Sequence, residues 1–206
     1  FVLEHFGMET PFYLDNIGTR VKDMEIREVP GEERKISVKE AWEIMRKLNV
    51  FTLPITNEAG ELEGLITTND IAKSYMEEYD SAIVSKARTP YHNILKTLEG
   101  QMIVGDENAC FEEGKVVVAA ANPDVMENYI DEHDMVILGN RYEGQLCAIE
   151  MNAQCLVVCL GANVSMTIRK LAREHGCSII VTEFDTLTVA RIISQSIPVS
   201  YAMVSK

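Results

Sequence analysis

The sequence predicts an α/β protein made of two units: a small α+β unit, then a larger unit with a mostly parallel sheet. Ser37 and Glu40 form an S-x-x-E pattern directly before apolar residues that recur at helical spacing. Two apolar runs, 51–56 and Leu62–Thr67, flank a turn and indicate a hairpin. From Val116 onward, short apolar runs alternate with helical patterns, which is typical of a parallel sheet covered by helices.

The first unit has the order helix, strand, strand, helix. Its first helix is predicted from Val38 to Asn49, because Ser37 supplies an N-cap and Asn49 ends the apolar period. Pro54 in the first strand favours an edge or a bulge. The second helix is predicted over 68–79.

The rest of the chain predicts a linking helix at 81–98 and an irregular or strand-rich stretch at 100–114, before the alternating pattern begins. Asn122, Pro123 and Asp124 are a strong helix start. The predicted strands of the second unit are 116–121, 135–138, 155–160 and 178–182. The other predicted helices of this unit are 145–151, 164–175 and 185–194. The expected domain organisation is a lead-in at 1–16, a first unit at 17–80, a connecting segment at 81–114, a second unit at 115–200, and the start of a linker at 201–206.

Composition excludes several classes of partner. The formal net charge of −13 argues against nucleic acid and anionic membranes, which attract positive surfaces. The apolar runs are too short to cross a bilayer, and the first residues lack a signal-peptide pattern, so we expect a cytoplasmic protein. The five cysteines contain no C-x-x-C pair, which favours buried reduced thiols over a metal site.

One motif carries recognisable chemistry: Gly64-Leu-Ile-Thr67-Thr-Asn-Asp70 at a strand-to-helix junction. The first N–H groups and the positive dipole end of a helix favour phosphate there. The Thr67 hydroxyl is able to donate to a phosphate oxygen, and the Asp70 carboxylate to accept from both hydroxyls of a ribose. The alternative is purely structural, with Thr67 or Thr68 as the N-cap and Asp70 as a first-turn acid.

In its context of helix, hairpin and helix, this motif resembles the CBS domain (the cystathionine β-synthase type), over about residues 17–79. The run Phe51-Thr-Leu-Pro54-Ile matches that family's middle strand. The resemblance implies an adenine nucleotide in a cleft, with the base against Ile36, Ser37 and 51–54. Lys35 is the candidate counter-charge for phosphate, or alternatively a solvated surface residue. The implied nucleotide-binding residues are Lys35, Ile36, Ser37, Phe51, Thr52, Leu53, Pro54, Thr67 and Asp70.

The second unit resembles the DRTGG domain, although the name-giving signature is replaced here by Asp185-Thr-Leu-Thr-Val. The structural interpretation of this unit is a packing and dimerisation domain. A CBS domain followed by a DRTGG domain is similar to the regulatory insert of CBS-containing family II inorganic pyrophosphatases. That resemblance implies a homodimer, catalytic domains elsewhere that use manganese or cobalt, and a second CBS domain after 201–206. It implies AMP and ADP as inhibitors, and ATP or diadenosine polyphosphates as activators.

No catalytic residues are predicted in this chain. A family II pyrophosphatase needs a D-H-H run for its two-metal cluster, and the four histidines here are scattered. No nucleophile elbow or phosphate-binding P-loop appears either. We therefore expect an adenine-nucleotide-sensing regulatory region without metal or cofactor of its own, and the alternative is a ligand-free structural or dimerisation module.

Overall fold

The computed structural model describes residues 2–9, 18, 21–26, 28–76 and 80–205. The predicted start of the first unit at 17, half of the lead-in (1 and 10–16) and the end of the second helix at 77–79 lie outside them. The helices are α1 (Val2–His5), α2 (Val38–Leu48), α3 (Thr68–Met76), α4 (Ile83–Lys86), α5 (Tyr91–Leu98), α6 (Pro123–Met126), α7 (Tyr142–Glu150), α8 (Met166–Glu174), α9 (Thr186–Ile192) and α10 (Val199–Ala202), with 3-10 turns at Val21–Asp23 and Ile193–Ser196. The strands are β1 (Glu32–Glu33), β2 (Thr52–Thr56), β3 (Leu62–Thr67), β4 (Thr89–Pro90), β5 (Gln101–Val104), β6 (Cys110–Phe111), β7 (Val116–Val118), β8 (Met135–Leu138), β9 (Cys155–Val158), β10 (Ser178–Val181) and β11 (Val204–Ser205).

The predicted capping box at the start of α2 is present. Glu40 N–H donates to Ser37 Oγ at 3.1 Å, and Ser37 N–H donates to Glu40 Oε2 at 3.5 Å. Asn49 ends the helix in a left-handed conformation with φ of 52°. The apolar period predicts one buried face made of Val38, Ala41, Trp42, Met45 and Leu48. Helix α2 buries Val38, Ala41 and Met45, whereas Trp42 and Leu48 are exposed.

The sheet of the first unit has four described strands in the order β1-β2-β3-β11. β1 runs parallel to β2, β2 and β3 form the predicted antiparallel hairpin, and β11 pairs antiparallel with β3. The residues predicted to begin a linker therefore also complete this sheet. A two-residue strand has no periodicity, so the pattern of the sequence did not reveal this pairing.

The connecting segment is not the single helix predicted over 81–98. It is divided into α4 and α5 by Arg88, which has φ of 48°, and by the extended Pro90. A left-handed residue ends a helix, and proline disfavours helical geometry in the residue before it. The strand between the two helices, β4, pairs with β6.

The second unit has a five-stranded sheet in the order β5-β10-β9-β8-β7, and all pairs are parallel except β5 with β10. This confirms the prediction of a mostly parallel sheet in a mixed α/β protein. Strands β8 and β9 are buried along their full length, since helices cover both faces. Helix α8 is followed by Gly176, which has φ of +69°.

The two units share one continuous core. Leu53 and Ile55 of the first sheet belong to the same cluster of buried apolar side chains as Met135, Val157 and Ile180 of the second. The hairpin is therefore packed rigidly on the rest of the chain. Within the described ranges, no helix is both long and apolar enough to cross a membrane.

Candidate functional site

Thr67 and Asp70 form a reciprocal capping box at the start of α3. The backbone N–H and the hydroxyl of Thr67 both donate to Asp70 Oδ2, at 2.8 and 2.6 Å, and Asp70 N–H donates to Thr67 Oγ1 at 3.2 Å. Both residues are half-buried. This is the structural alternative, and it is realised without a ligand. The hydrogen bonds described for this carboxylate all use Oδ2.

The hairpin has one face against the helices and one open face. Leu53, Ile55 and Ile66 are fully buried on the helix face. The side chains that alternate with them define the open face, namely Thr52, Pro54, Thr56, Glu63, Leu65 and Thr67, and these are half-buried or exposed. Thr67, which caps α3, is the last side chain of β3 on this open face.

This division separates the residues that were predicted to hold the base. Thr52 and Pro54 lie on the open face. Leu53 has no exposed surface, so only its backbone is able to meet a ligand. Phe51 is 76% exposed, but it lines an apolar groove of ≈ 750 Å³ beside α2 and α3, together with Trp42.

The structure does not bring Lys35, Ile36 and Ser37 together with Thr67 and Asp70. Glu33 pairs with Thr56 at the turn end of the hairpin, and Lys35 lines a cavity with residues 56–59 of that turn. Ile36 is half-buried against the core, and Ser37 is 1% exposed and caps α2. Thr67 instead pairs with Thr52 at the opposite end.

Four residues of strand separate Thr52 from Thr56, so the two ends of the hairpin are about 13 Å apart. One mononucleotide cannot contact Lys35 and Thr67 of the same chain through its single phosphate. We call these two parts of the predicted site the turn end, Lys35–Ser37, and the cap end, Thr67–Asp70. Val38 next to the first and Thr68 next to the second line the same groove beside α2 and α3.

Sequence reasoning missed Asn93, a buried polar residue in α5. Its side-chain N–H donates to the carbonyl of Lys35 at 3.1 Å, across 58 residues of sequence. Its neighbours Tyr91, Ile94 and Leu98 are buried apolar residues. Buried polar groups are almost always hydrogen-bonded, so a single amide side chain within a buried apolar stripe signals a specific partner.

Two further polar side chains, Arg141 and His133, have partners within the protein. Arg141 donates to the carbonyl of Ala121 and to Asn122 Oδ1, so its guanidinium is occupied at the edge of the second sheet. His133 lies beside Glu113 and Glu132. Among the described residues, no group of three or more histidine, cysteine or carboxylate side chains is arranged to hold a metal ion.

The cysteines are reduced, and four of the five are buried. Burial raises the pKa of Cys159 to about 11 and that of Cys177 to about 12. Because the thiolate is the form that binds metals and attacks electrophiles, these thiols are chemically quiet at neutral pH.

Comparison with known proteins is consistent with this architecture. The CBS domain family matches residues 21–77, and the DRTGG domain family matches residues 93–196. A crystal structure of the CBS and DRTGG domains of the regulatory region of Clostridium perfringens pyrophosphatase, complexed with the activator diadenosine tetraphosphate, superposes with a TM-score of 0.85. It is 35% identical, and the match covers 92% of this chain and 82% of that one.

The chain belongs to the family of CBS–DRTGG regulatory regions of inorganic pyrophosphatases. This CBS–DRTGG region is 35% identical over 204 residues to the cobalt-dependent inorganic pyrophosphatase of Clostridium perfringens. It is 23% identical over 206 residues to a probable manganese-dependent inorganic pyrophosphatase of Thermotoga maritima. It spans 37% of the length of each of these two relatives. The matched crystal structure is of the regulatory region alone, which agrees with the prediction that this segment is regulatory and not catalytic.

Proposed function

We propose that this CBS–DRTGG region senses adenine nucleotides and allosterically controls an inorganic pyrophosphatase of which it is part. The observation that carries the proposal is the cap end, where a hydroxyl and a carboxylate meet the start of α3 at the edge of an open sheet face. The similarity to a regulatory region whose activator is diadenosine tetraphosphate supports the same ligand class.

Each end of the hairpin is proposed as half of a nucleotide site. At the cap end, Asp70 accepts from the ribose hydroxyls, the Thr67 hydroxyl turns from Asp70 Oδ2 to donate to phosphate, and Thr52 and Pro54 contact the ligand from the open face. At the turn end, Lys35 neutralises phosphate, and Ile36 and Ser37 lie against the base by van der Waals contact, since their backbone N–H and carbonyl groups already bond other residues of the chain. A second CBS unit, from a homodimer partner or from the same protein, would complete each half.

The regulatory effect follows from differential affinity. AMP or ADP is proposed to stabilise an inhibited arrangement of the paired units, and ATP or a diadenosine polyphosphate an active one. A nucleotide shifts the balance only by the difference between its affinities for the two arrangements. The manganese or cobalt of the reaction belongs to the catalytic part of the parent protein, which we propose to be cytoplasmic.

The test is calorimetric titration of the chain with AMP, ATP and diadenosine tetraphosphate. We expect saturable binding of at least one of them, and weaker binding of 2′,3′-dideoxy-AMP by about tenfold or more, because Asp70 then loses both ribose donors. GMP serves as the matched base control. Absence of heat with every adenine nucleotide at about 1 mM would refute the proposal.

The alternative is a ligand-free dimerisation module, favoured by the fact that Thr67 and Asp70 already satisfy each other. It predicts that the chain dimerises equally with and without nucleotide. Sedimentation velocity in the presence and absence of AMP distinguishes the two proposals, since a sensing region changes its association or its shape on binding.

A further inference from the structure

Helix α5 contacts the beginning of α2 through three polar interactions. Asn93 donates to the Lys35 carbonyl at 3.1 Å, and Lys39 Nζ donates to the Thr97 carbonyl at 3.0 Å. Lys96 forms an ion pair with Glu40, whose other carboxylate oxygen is in the capping box of α2. The turn end is therefore attached to a helix of the following unit, not only to its own sheet.

These three contacts differ in burial. The Lys96 ammonium is exposed, so its ion pair contributes little. Asn93 is 1% exposed, but its acceptor belongs to the exposed Lys35, so the hydrogen bond is partly buried. Removing a buried donor leaves its acceptor unsatisfied, which costs more than the net value of an exposed bond. Asn93 is thus the most buried of the three contacts and the one that bonds the Lys35 carbonyl, while the N–H groups of Val199 and Ser200 bond the carbonyls of Ile36 and Arg34 on either side of it.

The other end of α5 is fixed to the second sheet. Thr182, which directly follows β10 and is 2% exposed, donates its hydroxyl to the Leu98 carbonyl at 2.6 Å. Helix α5 thus has a partly buried side-chain hydrogen bond to the turn end and a buried one to the residue that follows a parallel strand. It is a rigid connection between the two units.

We infer that Asn93 is a positioning residue for nucleotide binding: the hydrogen bond from its buried side chain to the Lys35 carbonyl helps to hold the turn end, Lys35–Ser37, in the conformation that receives a ligand, and α5 links that end to the DRTGG unit. This inference rests on the proposed function. Asn93 itself touches no ligand. Without its bond the turn end occupies its competent conformation for only a fraction of the time, and the apparent affinity falls by that fraction.

The test compares two variants of the chain that each remove one side-chain hydrogen bond of α5. Asn93→Leu is close to isosteric and removes the donor at the turn end. Thr182→Val removes the donor at the other end and is the matched control. AMP and diadenosine tetraphosphate are titrated by calorimetry, and the thermal midpoint of each variant is measured separately.

Both variants are expected to lower the thermal midpoint. Only Asn93→Leu is expected to weaken nucleotide binding, by about 3- to 10-fold, the factor given by one net hydrogen bond. Hydrogen exchange of the amides at 34–37 is expected to be faster in Asn93→Leu alone. If Asn93→Leu does not fold, Asn93→Ser, which is smaller and keeps a hydroxyl, takes its place with the same expected direction.

Unchanged affinity in a folded Asn93 variant, or equal weakening in Thr182→Val, would overturn the inference and leave the proposed function intact. Absence of binding by the unaltered chain would overturn the proposed function itself and the inference with it. The two failures are therefore distinguishable in the same titrations.

Discussion

Replacing Asp70 by alanine separates the capping role of this carboxylate from its proposed role in ligand binding. The substitution removes the acceptor of two hydrogen bonds from Thr67, at 2.8 and 2.6 Å. Loss of such a cap costs about 1–2 kcal/mol of unfolding free energy. For a chain of this size, that lowers the thermal midpoint by about 2–8 °C.

The effect on binding is expected to be larger than the cap alone explains. A hydrogen bond from a ribose hydroxyl to a carboxylate contributes about 1.5–3 kcal/mol to binding. Losing even one such bond therefore weakens the binding of AMP by about tenfold or more. Calorimetry at a temperature where the variant is fully folded measures this separately from stability. An Asp70→Ala variant that binds AMP like the unaltered chain would refute the ligand role and leave only the cap.

Asp185 provides the matched control because it caps α9 with the same chemistry. Its carboxylate accepts from the N–H groups of Leu187 and Thr188 and from the Thr188 hydroxyl at 2.6 Å. Asp185→Ala is expected to lower the thermal midpoint of unfolding without weakening the binding of AMP. Equal weakening by both substitutions would show that loss of AMP affinity reports general destabilisation.

Three further predictions test the packing and the electrostatics. Leu53→Ala should destabilise the chain by about 2–5 kcal/mol in urea unfolding without altering AMP affinity of the folded protein, since its side chain is fully buried on the helix face. Gly114→Ala, whose Cβ would lie 2.2 Å from a backbone oxygen, should lose more stability than Gly60→Ala, which also has a positive φ but open space around it. Hydrogen bonds to the Asp185 carboxylate, chiefly the one from the Thr188 hydroxyl, lower the pKa of Asp185 below the usual 3.8. Its contribution to stability is therefore present above that value and lost as the pH falls through the lowered pKa, so Asp185→Asn should flatten the acid side of a thermal midpoint profile.

Local patterns in the sequence predicted local structure well. The S-x-x-E pattern at Ser37 places the start of α2, because a capping box depends only on residues three apart. The T-x-x-D pattern at Thr67 places the start of α3 for the same reason. Alternation within β2 and β3 indicates which side chains face the core.

Relations between distant segments were not predictable in the same way. Lys35 and Thr67 were assigned to one cleft, yet they lie at opposite ends of the hairpin because β1 runs parallel to β2. Register between strands is determined by pairing, which no single segment encodes. The pairing of β11 with β3 and the bond from Asn93 to Lys35 are contacts of the same long-range kind.

The separation of the two ends also limits how a nucleotide is able to act. The hairpin shares a continuous core with the second unit, so its two ends cannot move relative to each other without disrupting fully buried side chains such as Leu53 and Ile66. A ligand held at the cap end of one copy and the turn end of another would therefore change the relation between the copies and not the shape of either. The effect of the ligand is limited by the difference between its affinities for the two arrangements of the copies. A tenfold difference in affinity corresponds to about 1.4 kcal/mol per site. Two such sites on one rigid hairpin would add these contributions, which favours concerted over gradual regulation.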